Sequence, residues 1–202
     1  MTRADDKIIN ELIEDSRSDP YYSSSKWAIE RLPNIFNGNY EKYVKTKRMI
    51  AEKIGVDGCC IVFVGSCCTG FSLSPHKDYR LFNENSDIDI AIISDYYFTI
   101  AWRCIRNVKL WKQVKETQDA IQDHVSRLIY HGTIATDKIL GLMPFAKEWL
   151  EAISELGTIK ELENRDIHFR LYKDFESLRS YHLYNFRNIG KTQDVNPSEI
   201  QL

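Results

Sequence analysis

A mixed α+β fold built around a short buried sheet is the class this sequence of 202 residues predicts. Three patterns lead there. Residues 59–64 (CCIVFV) form a continuous apolar run, and 87–93 (DIDIAII) become one after two aspartates, as strands covered on both faces do. Residues 166–172 (DIHFRLY) alternate polar with apolar, as in a strand with one wet face. Between and around them, apolar residues recur every three or four positions, the helical period.

Taken in order, residues 5–15 carry Ile8, Ile9, Leu12 and Ile13 at helical spacing. The stretch SRSDPYYSSS at 16–25 holds Pro20 and several serines and reads as a loop. Trp27, Ile29 and Leu32 open a second apolar patch, closed by Pro33 and the turn-like Asn37-Gly38-Asn39. Residues 39–54 read as a helix with Tyr40, Tyr43, Met49, Ile50 and Ile54 available for burial, and Gly55 and Gly58 after its end. The first strand then runs into Gly65-Ser66-Cys67-Cys68-Thr69-Gly70, and a mostly polar spacer at 72–85 precedes the second, which Ser94-Asp95 stops. From 99 to 130 the period is helical, through Trp102, Ile105, Val108, Trp111, Val114, Ile121, Val125 and Leu128. His131-Gly132-Thr133 is a break, and 136–155 is helical again, split or kinked at Pro144. After the alternating strand, Asp174 suits the N-cap of a last helix at 175–187, and the polar tail 189–202 is expected to fray.

Hydrophobic types make up 43% of the chain, enough for a real core, and Lys+Arg 27 against Asp+Glu 29 gives a net charge of -2. That balance excludes bulk electrostatic adhesion to nucleic acid while leaving room for a local basic groove. No apolar run approaches the roughly 20 residues of a membrane span, and the first residues hold no signal-like apolar segment. No membrane span and a cytoplasmic location are the expectations. Cys59, Cys60, Cys67, Cys68 and Cys104 are odd in number and include two adjacent pairs, which suits reduced thiols better than disulfides or a zinc site.

The chemistry concentrates at two strand ends. Side chains at i and i+2 of a strand share a face, so Asp87 and Asp89 are expected side by side with Ile88 and Ile90 turned into the core. Two close carboxylates resist ionising together, and a divalent cation relieves the conflict; hard oxygen ligands select Mg²⁺ or Mn²⁺. Gly65-Ser66, after a buried strand, offers close backbone approach and N–H groups suited to phosphate oxygens. A metal pair beside a phosphate cradle is what transfer of a nucleoside monophosphate needs. Bland readings stand beside these: Ser66 as a helix cap, Asp87 and Asp89 as solvated residues at a strand mouth, His76 and Lys77 as exposed loop residues. Arg103, Arg106, Lys109, Lys112 and Lys115, spaced by three, drift around a helix and read as a wet face. Tyr172, Tyr181 and Tyr184 cluster late in the chain and read as packing residues, although a phenol near an active site can also serve as an acceptor hydroxyl.

At FVGSCCTG and SDIDIAIIS, the chain resembles the DNA polymerase β-type nucleotidyltransferases, whose signature is Gly-Ser, a spacer, then Asp-hydrophobic-Asp on the next strand. The spacer is a departure, with twenty residues between Ser66 and Asp87. The resemblance implies a polymerase β-like core at 55–188 with a helical insertion at about 99–157, an N-terminal helical segment at 1–54 packed on it, and the tail. It implies a two-metal Mg²⁺ or Mn²⁺ site on Asp87 and Asp89, phosphates at Gly65 and Ser66, and an NTP or dNTP substrate. A third carboxylate is usual in that superfamily; Asp166 is the candidate, Asp137 the runner-up, and His168 also stands where that ligand is expected. Helices around a minimal core are similar to bacterial immune nucleotidyltransferases, including the Hailong-type enzymes that extend DNA oligomers from a C-terminal tyrosine. That likeness implies an antiphage role, an oligonucleotide or nucleotide product sensed by an effector protein, and Tyr172, Tyr181 or Tyr184 as the priming residue. Two alternatives remain: a toxin–antitoxin enzyme modifying a partner protein or tRNA, and an inactive nucleotide-binding module.

Overall fold

The computed structural model describes residues 2–191. Helix α1 (Asp6–Ser18) is capped by the Asp5 carboxylate, which accepts from the Lys7 N–H. The expected loop after it is instead helix α2 (Pro20–Ser24), continued by a wider turn over Ser25–Ile29. The cause is local: Asp19 accepts from the Tyr21 and Tyr22 N–H groups, and Pro20 stands at the first helical turn, where its missing N–H costs nothing. Helix α3 (Tyr40–Ile54) begins at Asn39 and ends at Gly55, which takes the left-handed conformation at φ 68°.

Strands β1 (Ile61–Val64), β2 (Ile88–Ile93), β3 (Thr133–Ala135) and β4 (Ile167–Tyr172) form one mixed sheet in the order β1-β2-β4-β3. β2 is antiparallel to β1 and parallel to β4, and the edge strand β3 is antiparallel to β4. The molecule is therefore α+β with a small four-stranded mixed sheet. The short helix α4 (Ser66–Thr69) follows β1 directly.

The helical run expected over 99–130 is broken. Helix α5 (Asp95–Asn107) stops where Val108 turns extended, and α6 (Lys115–Asp123) starts after a short turn. Counting a single period across that break wrongly assigns Trp111, Val114 and Val125 to the core, and they are exposed. The five basic residues of the same stretch are all exposed as well. Beyond β3, Pro144 lies ahead of helix α7 (Ala146–Leu156) rather than inside it, and residues 136–142 form 3₁₀ turns. Helix α8 (Phe175–Lys191) outruns its expected end at 187 because Ile189 is buried. The rest of the expected tail, 192–202, lies outside the described residues.

Strand periodicity divides the core. Ile88, Ile90 and Ile92 face a large cluster with Ile50 and Ile54 of α3, Ala101 and Ile105 of α5, and Trp149 and Leu156 of α7. The opposite face carries Val62, Val64, Ala91, Ile93 and Tyr172 under Leu178 of α8. A third cluster joins Leu12 and Ile13 of α1, Trp27 and Phe71 to Phe186 and Ile189 on the far side of α8. The N-terminal helices thus hold α8 against the sheet. Burial of this kind contributes about 1.5–3 kcal/mol for each large apolar side chain. All five cysteines are free thiols, with Cys67 and Cys68 buried. Among the described residues, no helix is long and apolar enough to cross a membrane.

Candidate active site

Pairing of β1 with β2 places Val64 opposite Asp89, so the chain leaves β1 beside the second aspartate. Gly65 then adopts φ 67°, ψ -153°, a region essentially confined to glycine. Its Cα lies against the Asp89 carboxylate: a Cβ there would meet Oδ2 at 2.9 Å. The Gly65 carbonyl accepts from the N–H groups of Cys68 and Thr69 at 3.1 and 3.2 Å, closing the turn that begins α4 at Ser66. Cys67 is sealed beneath it, its thiol 3.1 Å from the Val64 carbonyl. A buried strand, a glycine turn and a thiol filling a small hole set the position of Ser66.

The long spacer folds back rather than wandering. Phe71 pairs with Leu81, the Ser72 N–H donates to the Arg80 carbonyl at 2.8 Å, and the Phe82 N–H donates to the Gly70 carbonyl at 2.9 Å. Thr2–Ala4 lines up along this excursion, with the Ala4 N–H donating to Tyr79 O and the Leu81 N–H to Thr2 O. The return delivers Lys77 and Arg80 to the aspartates. Ser66, Ser72, Lys77, Arg80, Asn85, Ser86, Asp87 and Asp89 together line one cleft of about 80 Å³.

Asp87 stands just before β2 and is exposed; Asp89, within the strand, is half-buried. Burial raises the Asp89 carboxyl above its ordinary value, the charges of Arg170 and His168 oppose that, and Asp87 and Asp137 add to it. His168 is the residue of β4 directly paired with Asp89, and Arg170, two residues on, shares its face. The chain thus sets a histidine and a guanidinium beside Asp89 on the neighbouring strand.

The third carboxylate is not gathered. Asp166 stands exposed at the mouth of β4, where its carbonyl accepts from the Ile88 N–H at 2.8 Å. Asp137, just past β3, is the further carboxylate whose charge reaches both Asp89 and Arg170. Among the described residues, no three His, Cys, Asp or Glu side chains are grouped to hold a metal ion. Mg²⁺ commonly keeps several waters and takes one or two carboxylates plus substrate phosphates. Asp87 and Asp89 supply two carboxylates to the cleft.

On the other side of Asp89 lies a second cavity of about 210 Å³, lined by Val64, Gly65, Leu73, Asp89, Arg170, Tyr172, Tyr181, His182 and Asn185. Of the three tyrosines, Tyr172 is 1% exposed and Tyr181 receives a hydrogen bond from Arg170 Nη1 at 2.7 Å. Tyr184 is 69% exposed and lines neither cavity. Arg80, Ser72 and the wall provided by α8 carry no motif. They depend on where the spacer returns and where the last helix docks.

Comparison with family models, with curated proteins and with solved structures finds no match to this chain. The residues of the cleft themselves carry any functional reading.

Proposed function

We propose that the chain is a nucleotidyltransferase that moves a nucleoside monophosphate from an NTP or dNTP to a hydroxyl. The observation behind this is the meeting of Ser66 with Asp87 and Asp89 in one cleft that also holds Lys77 and Arg80, with Gly65 packed against Asp89. Cations, hydroxyls and helix-opening amides suit a triphosphate; carboxylates suit the cation that accompanies it. The core is then polymerase β-like, as the resemblance of its two motifs implies.

Each group has a part in that chemistry. Ser66 and the amides after Gly65 hold phosphate oxygens, and Lys77 and Arg80 offset the triphosphate charge. Asp87 and Asp89 would hold Mg²⁺ or Mn²⁺, which when bound supplies Lewis-acid stabilisation of charge on the phosphates and lowers the pKa of a bound hydroxyl. Gly65, lacking a side chain, leaves the Asp89 carboxylate room to keep its place. The acceptor oxygen bonds to the α-phosphorus while the bond from that phosphorus to the pyrophosphate bridging oxygen breaks. Pyrophosphate leaves with the electron pair, and the hydroxyl proton passes to water. Following the resemblance to bacterial immune enzymes, the product is a nucleotide or oligonucleotide signal read by an effector protein.

The test is incubation of the purified chain with each NTP and dNTP plus Mg²⁺ or Mn²⁺, with products weighed by mass spectrometry. The reading requires pyrophosphate and a nucleotidylated product from the wild type and neither from D87A. Equal turnover by D87A, folded as the wild type, overturns it.

A further inference from the structure

Between α5 and α6 the chain exposes side chains that a fold ordinarily buries. Val108 is extended, Leu110–Lys112 make a single 3₁₀ turn, and Gln113 is extended again before α6. The turn is held: the Lys112 N–H donates to the Lys109 carbonyl and the Gln113 N–H to the Leu110 carbonyl, each at 2.9 Å. The Gln118 side-chain amide closes it from α6, donating to the Gln113 carbonyl at 2.8 Å. Ile105 of α5 and Ile121 of α6 anchor its flanks in the core. On that fixed platform Trp111 is 78% exposed, Val114 68% and Leu110 39%.

Charge singles out the same stretch. Residues 96–115 hold Arg103, Arg106, Lys109, Lys112 and Lys115 and no aspartate or glutamate, in a chain whose net charge is -2. All of these cations are exposed. Lys115 pairs with Asp119, and Arg106 lies over the Trp102 ring with Cζ 4.7 Å from its centroid. Among the described residues, Arg103, Arg106, Lys109 and Lys112 have no ion-pair partner.

An occupant of this surface has to be polyanionic and also take up aliphatic side chains. A single nucleic-acid strand offers phosphates to the cations and base faces to an aromatic ring, yet gives Leu110 and Val114 nothing to enter. A folded protein partner engages about 20–30 residues a side, more than one turn presents. An anionic bilayer meets both demands. Its acyl boundary takes Leu110 and Val114, the headgroup level suits the Trp111 ring, and acidic headgroups draw the cations. Lysine and arginine stems lie along apolar surface while their charged ends stay at the headgroups.

We propose that the turn at 108–115 is a membrane-docking loop, whose Leu110, Trp111 and Val114 enter an anionic lipid surface under the pull of the surrounding cations. The attachment is peripheral, since no helix among the described residues is long and apolar enough to cross a membrane. It goes beyond the nucleotidyltransferase reading and does not rest on it.

The test sediments the full chain, without nucleotide or metal, with vesicles of phosphatidylcholine alone and of equimolar phosphatidylcholine and phosphatidylglycerol. Sedimentation with the mixed vesicles only is expected, with a blue shift of tryptophan emission that W111S abolishes. W111S is expected to lower the partition coefficient by about tenfold, and K109Q and K112Q by about fivefold each. These positions are exposed, and unchanged thermal melting of the variants separates lost docking from a lost fold. No sedimentation with the mixed vesicles overturns the proposal, as does equal partition of W111S, K112Q and the wild type. A fluorescent oligothymidylate is the competing occupant. If it binds the wild type and not W111S, while vesicles leave the chain in solution, the turn contacts nucleic acid and membrane docking is overturned.

Discussion

The Asp89 carboxylate is seated against the Cα of Gly65, so close that a methyl group on that carbon would lie 2.9 Å from Oδ2. One residue's missing side chain is thus the space another's charge occupies. G65A meets two penalties: a backbone at φ 67°, ψ -153°, and displacement of that carboxylate. It is expected to destabilise the fold by about 1–3 kcal/mol in denaturant titration and to reduce nucleotide turnover by about a hundredfold. Wild-type stability and turnover in G65A would remove the steric argument.

D87N and D89N keep shape and remove charge. Burial disfavours the ionised form of Asp89, so D89N is expected to melt no lower than the wild type. Turnover with Mg²⁺ should fall by a factor of about 10²–10³ in each, since metal stabilisation is a matter of several kcal/mol. Melting curves and pyrophosphate release check the two halves separately.

Lys77 and Arg80 come to the cleft on the returning arm of the spacer. K77Q and R80Q are expected to raise KM for NTP by about tenfold each, the more so at low salt, because their contribution is charge. A KM unchanged in both would mean that the arm does not meet the triphosphate.

His182 makes stability depend on pH. Its pKa drops from 6.5 unfolded to about 4 in the folded chain, through burial first and then the charges of Arg170 and Arg179. A base with a depressed folded pKa stabilises the fold fully above the unfolded value, and that contribution fades as pH falls from 6.5 to about 4. The loss is on the order of 3 kcal/mol. In H182Q, urea denaturation between these pH values should show a flatter profile than in the wild type.

His124 is the buried post of the edge strand. Its Nδ1 lies 2.6 Å from the Ala120 carbonyl, and its Nε2 accepts from the Ala135 N–H at 3.0 Å, which sets the tautomer with the proton on Nδ1. H124L leaves the Ala135 N–H without that acceptor and is expected to cost about 1–3 kcal/mol. Faster amide hydrogen exchange at Ala135 is the local readout.

Much of this arrangement was legible in the residues. The apolar runs gave β1 and β2 and the polar–apolar alternation gave β4, and Gly65-Ser66 and Asp87-Asp89 meet because two neighbouring strands pair antiparallel with Val64 opposite Asp89. Asp19-Pro20 also carried its signal, a cap followed by a first-turn proline, but the serines around it resembled a loop. The rest is tertiary. β3 is three residues long and exists through its pairing with β4 and through His124, neither of which leaves a local pattern. The apolar period over 99–130 runs through an extended Val108, which periodicity does not detect. Lys77, Arg80 and the His182 cavity depend on a folded-back loop and a docked helix.

The order of assembly has a consequence for the nascent chain. Gly65 and Asp89 emerge early in synthesis, but Arg170 comes from β4, and Tyr181 and His182 come from α8, which Phe186 and Ile189 anchor to the N-terminal helices. A polypeptide halted before residue 175 has no lid over that side of the aspartate, which stays open to water. Until α8 has formed and settled, the pocket lacks the wall that Tyr181, His182 and Asn185 provide.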